Sequence, residues 1–165
     1  MAWPNAFTAL DLSQYTKLIE KLAEDLQSGK IKATDISEDL VRQTYKDLAQ
    51  ASAKGYGKTF YNYERNGKQK LSLQQNIYRF SAAKTYQEQA LLNSFLIDEN
   101  GQRRNAAEVK KLALAMNDQF NDRYLKVEVE TFQRANAQAE KWNKYQEQKD
   151  LYPNTGQHRQ AVLKD

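Results

Sequence analysis

Between Lys54 and Lys84 the chain places seven basic side chains (Lys54, Lys58, Arg65, Lys68, Lys70, Arg79 and Lys84) against Glu64 alone. Tyr56, Phe60, Tyr61, Tyr63 and Tyr78 are interleaved with them. Cations beside aromatic faces suit phosphate neutralisation and base stacking. Lys58, Arg65, Lys68, Lys70 and Arg79 are therefore the candidate set for nucleic-acid contact. A solvated loop whose tyrosines pack on helices beneath it would have the same composition, and no recognisable nucleic-acid motif accompanies the segment. Elsewhere the charges balance: residues 1–53 carry six basic and eight acidic groups, and residues 85–165 carry twelve of each. The net charge of +4 thus comes from one segment.

Other groups with chemical potential are isolated. The carboxylate pairs Asp118/Asp122 and Glu24/Asp25 have acid–base spacing, but they fall on polar faces beside Lys or Arg and read as solvated. Gly55-Tyr56-Gly57-Lys58-Thr59 imitates the end of a phosphate loop without its upstream glycine or preceding apolar strand. The chain has no cysteine and one histidine, His158. That rules out disulfides, thiolate metal sites, a cysteine nucleophile and any site needing two imidazoles. No nucleophile is paired with a base, so no enzymatic activity, catalytic residue, cofactor or metal is expected. No signal peptide or long apolar run is present, and no membrane partner is expected.

The elements that would position these residues read as helices. Only two prolines occur, and glycines at 29, 55, 57, 67, 101 and 156 divide the chain into helix-length blocks. Met1–Leu10 reads as an arm. Residues 11–54 read as a helical hairpin: Tyr15, Leu18, Ile19, Leu22 and Leu26 share one face before Gly29, and Ile36, Leu40, Val41, Tyr45 and Leu48 share another. Residues 55–71 form the basic aromatic stretch. Asn66-Gly67 there is a hairpin signal, but with no other sheet to join, a loop or short helix is favoured. A helix over 72–97 should turn Leu73, Ile77, Phe80, Leu91 and Phe95 inward, and Asp98–Gly101 should turn the chain.

The longest block runs from Asn105 to about 150. Asn105 and Glu108 have the spacing of a capping box, and Lys149 places a cation near the C-terminal end. Unbroken, it would span roughly 65–70 Å, so a bend near Asn121–Tyr124 is expected. The fold expected is all-α, a bundle of long amphipathic helices, either compact or with an extended C-terminal helical arm. Residues 152–165 read as a polar tail.

Several pieces in order carry a family resemblance. They are Tyr78-Arg79-Phe80-Ser81-Ala82-Ala83-Lys84-Thr85, then Leu96-Ile97-Asp98-Glu99-Asn100-Gly101, then Phe120-Asn121-Asp122-Arg123-Tyr124-Leu125-Lys126-Val127-Glu128. The spaced Ala135, Ala137 and Ala139 follow, with Lys141-Trp142 and Asp150-Leu151-Tyr152-Pro153-Asn154. Over roughly residues 55–154 this order resembles the helical part of phage Mu F-like minor head (head morphogenesis) proteins. The resemblance implies a structural component of a phage or prophage head, associating with the portal during procapsid assembly and located in the virion or procapsid, or in the host cytoplasm during assembly. Some relatives influence DNA packaging, so non-specific DNA contact is a further implication. Family members continue past the Tyr-Pro pair into a cysteine-containing domain. The tail is therefore expected to be the remnant of a C-terminal domain lacking here. For contact with portal, other head proteins or a second copy, the candidate face is Phe120, Tyr124, Val127, Phe132, Trp142 and Tyr145.

Overall fold

The computed structural model describes residues 10–151. The expected arm over 1–10, except Leu10, and the tail with His158 lie outside the described residues. Five α-helices and one π-helical segment make up the rest: α1 (Leu12–Ser28), α2 (Glu38–Tyr56), α3 (Gly67–Ser94), α4 (Ala106–Asn117), the π segment (Asp118–Arg123) and α5 (Tyr124–Leu151). The fold is all-α. Among the described residues the β-pairing is one isolated antiparallel bridge, Ile97 with Arg103, closing the turn before α4.

Local chemistry sets the helix ends. The Asp11 carboxylate accepts the Ser13 N–H to start α1, and Gly29 ends it at φ 77°, a conformation that suits a residue without Cβ. The Ser37 hydroxyl caps α2, so that Ile36, expected on its inner face, stays outside the helix and exposed. Asn105 and Glu108 form the expected capping box, each side chain accepting the other residue's N–H at 2.9 and 3.3 Å. Asp98 accepts the N–H groups of Asn100 and Gln102, which folds the turn back on itself.

Two boundaries differ from expectation. The chain between α2 and α3 is a loop of turns, as favoured, but α3 begins at Gly67, with Asn66 taking the left-handed conformation at its N-cap. Helix α2 runs through Gly55 to Tyr56, so Gly55 does not punctuate. It sits where α2 crosses α5, and a Cβ there would lie 2.0 Å from the Gln133 carbonyl oxygen. Glycine is present because the two backbones meet.

The core gathers Tyr15, Ile19, Leu22 and Leu26 of α1, Leu40, Leu48 and Tyr56 of α2, Phe60 of the loop that follows, Ile77 and Leu92 of α3, and Val109, Ala113, Met116, Leu125 and Val129 from the second half. α4 packs on α1, and α5 lies along α2. α5 is therefore docked on the body at least as far as the buried Asn143, and is not an extended arm. The interruption in the long block is the π segment, where the Tyr124 N–H reaches the carbonyl of Gln119. Its role follows from geometry. At about 100° per residue, an unbroken α-helix would turn Leu125 roughly 160° away from Val109. A wider turn lags behind that rotation, so α4 keeps its apolar stripe on α1 while α5 keeps its own on α2.

Candidate functional site

The expected partner face divides in two. Phe132 packs edge-to-face on Phe80 with ring centroids 5.2 Å apart, and Phe120 is half-buried against the core. Both are internal packing residues, because the π segment rotates the start of α5 inward. Tyr124, Val127, Trp142 and Tyr145 remain exposed. Trp142 and Tyr145 are 58% and 51% exposed and stacked on each other, centroids 5.8 Å apart at 28°. Tyr124 and Trp142 are eighteen residues apart, five full turns, so they share one azimuth about 27 Å apart along the axis. Between them on that side lie Thr131, Ala135 and Gln138, all at least partly open to solvent. The outer side of α5 thus presents an aromatic anchor at each end and a flat middle.

The basic segment loses two of its seven cations to the interior. Lys70 is 2% exposed: its ammonium donates to the Asn62 carbonyl at 2.6 Å and sits 5.4 Å from the centre of the Tyr56 ring. It is a loop staple, not a surface cation, and this corrects its place in the nucleic-acid set. Lys84 is likewise buried, and Arg65 pairs with Glu147 of α5 at 3.4 Å. Lys58, Lys68 and Arg79 are exposed and form no ion pair among the described residues. Tyr61, Tyr63 and Tyr78 are exposed nearby in sequence, while Tyr56 and Phe60 pack into the core. Tyr78 meets Tyr45 edge-on at 6.3 Å beside an open groove of about 450 Å³ lined by Ile36, Val41 and Arg42.

What the pattern reading missed is polar. The inward face of α3 is Ile77, Ser81, Lys84, Thr85, Glu88, Gln89 and Leu92, which repeat at helical spacing like any core stripe. Leu91, expected inward, is exposed. Lys84 donates to the Phe120 carbonyl at 2.7 Å and to Glu128 at 2.5 Å, clamping the π segment and α5 together. Asn121 donates to Asn117, which donates to Thr16 of α1. Gln89 holds the loop between α1 and α2 through the Ser37 N–H and the carbonyls of Lys32 and Asp35. At the other end of the bundle Asn143 of α5 donates to Tyr56 and to Gln69 at 2.7 Å each, tying α5 to α2 and α3.

Glu88 is the exception to this pairing. It is 1% exposed, and neither carboxyl oxygen has a hydrogen-bond partner. Burial pushes its pKa from the ordinary 4.5 up to about 7; nearby Lys84 opposes the shift and Glu128 adds to it. The folded chain therefore holds this proton more tightly than the unfolded chain. Between pH 4.5 and 7 its contribution falls as pH rises, and above pH 7 the full cost of burying the ionised group is carried. Glu88→Gln should stabilise the protein by on the order of 2–3 kcal/mol at pH 8 and by little at pH 4.5. Urea melts at both pH values check this. Equal destabilisation at both would mean that the carboxyl is ionised and held by Lys84 throughout.

Among the described residues no helix is long and apolar enough to cross a membrane, and no three acidic or His side chains are grouped to hold a metal ion. Comparison with protein-family models, with curated proteins and with solved structures gave no match.

Proposed function

We propose that the chain is an assembly protein of a phage or prophage head, a minor head component that meets the portal during procapsid assembly and works through helix-face contacts. The observation that carries the reading is the convergence of the resembling pieces. Lys84 of the first piece bonds Phe120 and Glu128 of the third, over sequence distances of 36 and 44 residues. Residues that look like separate short motifs thus build one junction, as pieces of a single architecture would. The working surface in this reading is the outer side of α5, where Tyr124, Val127, Trp142 and Tyr145 leave apolar area uncovered. Aromatic anchors of this kind supply most of the affinity in protein contacts.

Co-purification of the chain with a phage portal protein is the test. Trp142→Ser with Tyr145→Ser should weaken association at least tenfold, since each removes an anchor. Fold stability should change by about 0.5 kcal/mol or less, because both side chains are exposed. A monomer with no affinity for portal, for any other head protein or for itself would overturn the proposal.

A second reading, contact with nucleic acid, is favoured by the exposed Lys58, Lys68 and Arg79 alone. Three neutralised phosphates would give a slope of about −2.7 for log affinity against log salt. A much steeper slope, or none, would discard this three-cation footprint.

A further inference from the structure

We infer that Lys84, Glu88 and Glu128 form a proton-operated latch on the junction between α3, the π segment and the start of α5. The geometry supplies both states. Lys84 and Glu88 lie one turn apart on the inward face of α3, so the Lys84 ammonium is within reach of two rival carboxylates. With Glu88 protonated, the ammonium belongs to Glu128 and the Phe120 carbonyl, as observed at 2.5 and 2.7 Å. That carbonyl lies in the π segment. Donation to it from α3 is what fixes the wide turn in place.

With Glu88 ionised, a buried anion without any hydrogen bond competes for the same ammonium. The one other buried cation among the described residues, Lys70, is committed to the Asn62 carbonyl. From α1 it meets the Tyr15 phenol, whose hydrogen is committed to Asp47 of α2 at 2.5 Å. α5 contributes Glu128, a second negative charge. The inward residues of α4 are Val109, Ala113, Met116 and Asn117, and that of the π segment is Asn121, so neither brings a cation inside. Ionisation therefore draws Lys84 away from Glu128 and Phe120 and loosens the junction. The Gly55–Gln133 crossing and the Asn143 clasp lie further along α5 and do not depend on it.

Hydrogen exchange on the full chain tests the latch. Protection factors for the amides of residues 120–129 should fall as pH rises between 5 and 7, by up to roughly tenfold per pH unit, the linkage limit for one proton. Residues 133–143 should show no such fall. Glu88→Gln should abolish the dependence and keep 120–129 protected at pH 8. Protection of 120–129 that is flat with pH in the native chain would overturn the proposal. So would an equal loss over 120–129 and 133–143, or a Glu88→Gln variant that keeps the dependence. Should that variant fail to fold, carboxyl-carbon NMR of the native chain decides the matter. One glutamate must titrate with a midpoint near 7, and the amides of 118–128 must shift with it; otherwise the latch does not exist.

Discussion

Gly55→Ala should cost about 2–3 kcal/mol, although alanine is the better helix former by about 1 kcal/mol. The two effects have opposite sign, and the local one is the smaller. A Cβ at this position meets the Gln133 carbonyl oxygen at 2.0 Å, its carbon at 2.9 Å and its Cα at 3.1 Å. All three are backbone atoms, so no side chain can rotate to relieve the clash. The helices must separate, and α2 with α5 is the most extensive helix pair in the fold. Separation also strains the clasp of Tyr56, Gln69 and Asn143, whose α2 member directly follows Gly55. Gln133→Ala is the matched control, because it trims the facing side chain and leaves the backbone contact intact. Urea denaturation of the two variants makes the comparison. Gly55→Ala within about 0.5 kcal/mol of the native chain would show that the crossing is loose enough to accept a methyl group.

How legible all this was in the sequence depended on whether the controlling interaction is local. The cap at Asn105 with Glu108, the stop at Gly29 and the turn at Asp98 each need only neighbours, and each is where its residues place it. The all-α class followed from periodicity for the same reason. The face of α3 was misread because apolar residues alone were taken to mark the inside. Leu91 was placed inward, whereas Lys84, Thr85, Glu88 and Gln89 occupy that side. The partners of Lys84 and Gln89 lie on other elements, up to 57 residues away, and no local pattern announces them. One signal was present: the step from Ile77 through Ser81, Lys84 and Glu88 to Leu92 has core spacing, with apolar residues at both ends. Gly55 was read as punctuation for a similar reason, since the backbone it faces belongs to α5. On α5 itself a π segment shifts the register of the aromatic face. Phe120 and Phe132 therefore went inside, while Tyr124, Trp142 and Tyr145 stayed out.

Lys84→Met should destabilise the protein by about 3–5 kcal/mol at pH 8, the largest effect expected of any single change here. Methionine fills the space of the lysine stem, so the loss is electrostatic rather than a cavity. Removing the ammonium leaves Glu128, Glu88 and the Phe120 carbonyl without their shared cation. Glu88, already held towards its protonated form by burial, then loses the cation that opposes that shift. By linkage the deficit is greatest where the unfolded chain would ionise Glu88, and it shrinks as pH is lowered from 8 to 5. Lys84→Met with Glu128→Leu separates the pair from its surroundings. Replacing a buried ion pair by apolar groups is close to neutral, so the double variant should recover to within roughly 1–3 kcal/mol of the native chain. That residue of the cost belongs to the Phe120 carbonyl, which still lacks a donor, and to Glu88, which still lacks its cation. Urea melts of the single and double variants at pH 5 and 8 give the four numbers required. If the single variant loses less than about 1 kcal/mol at pH 5 as well as at pH 8, Lys84 is not the clamp that holds the π segment, and the resembling pieces would meet there without depending on one another.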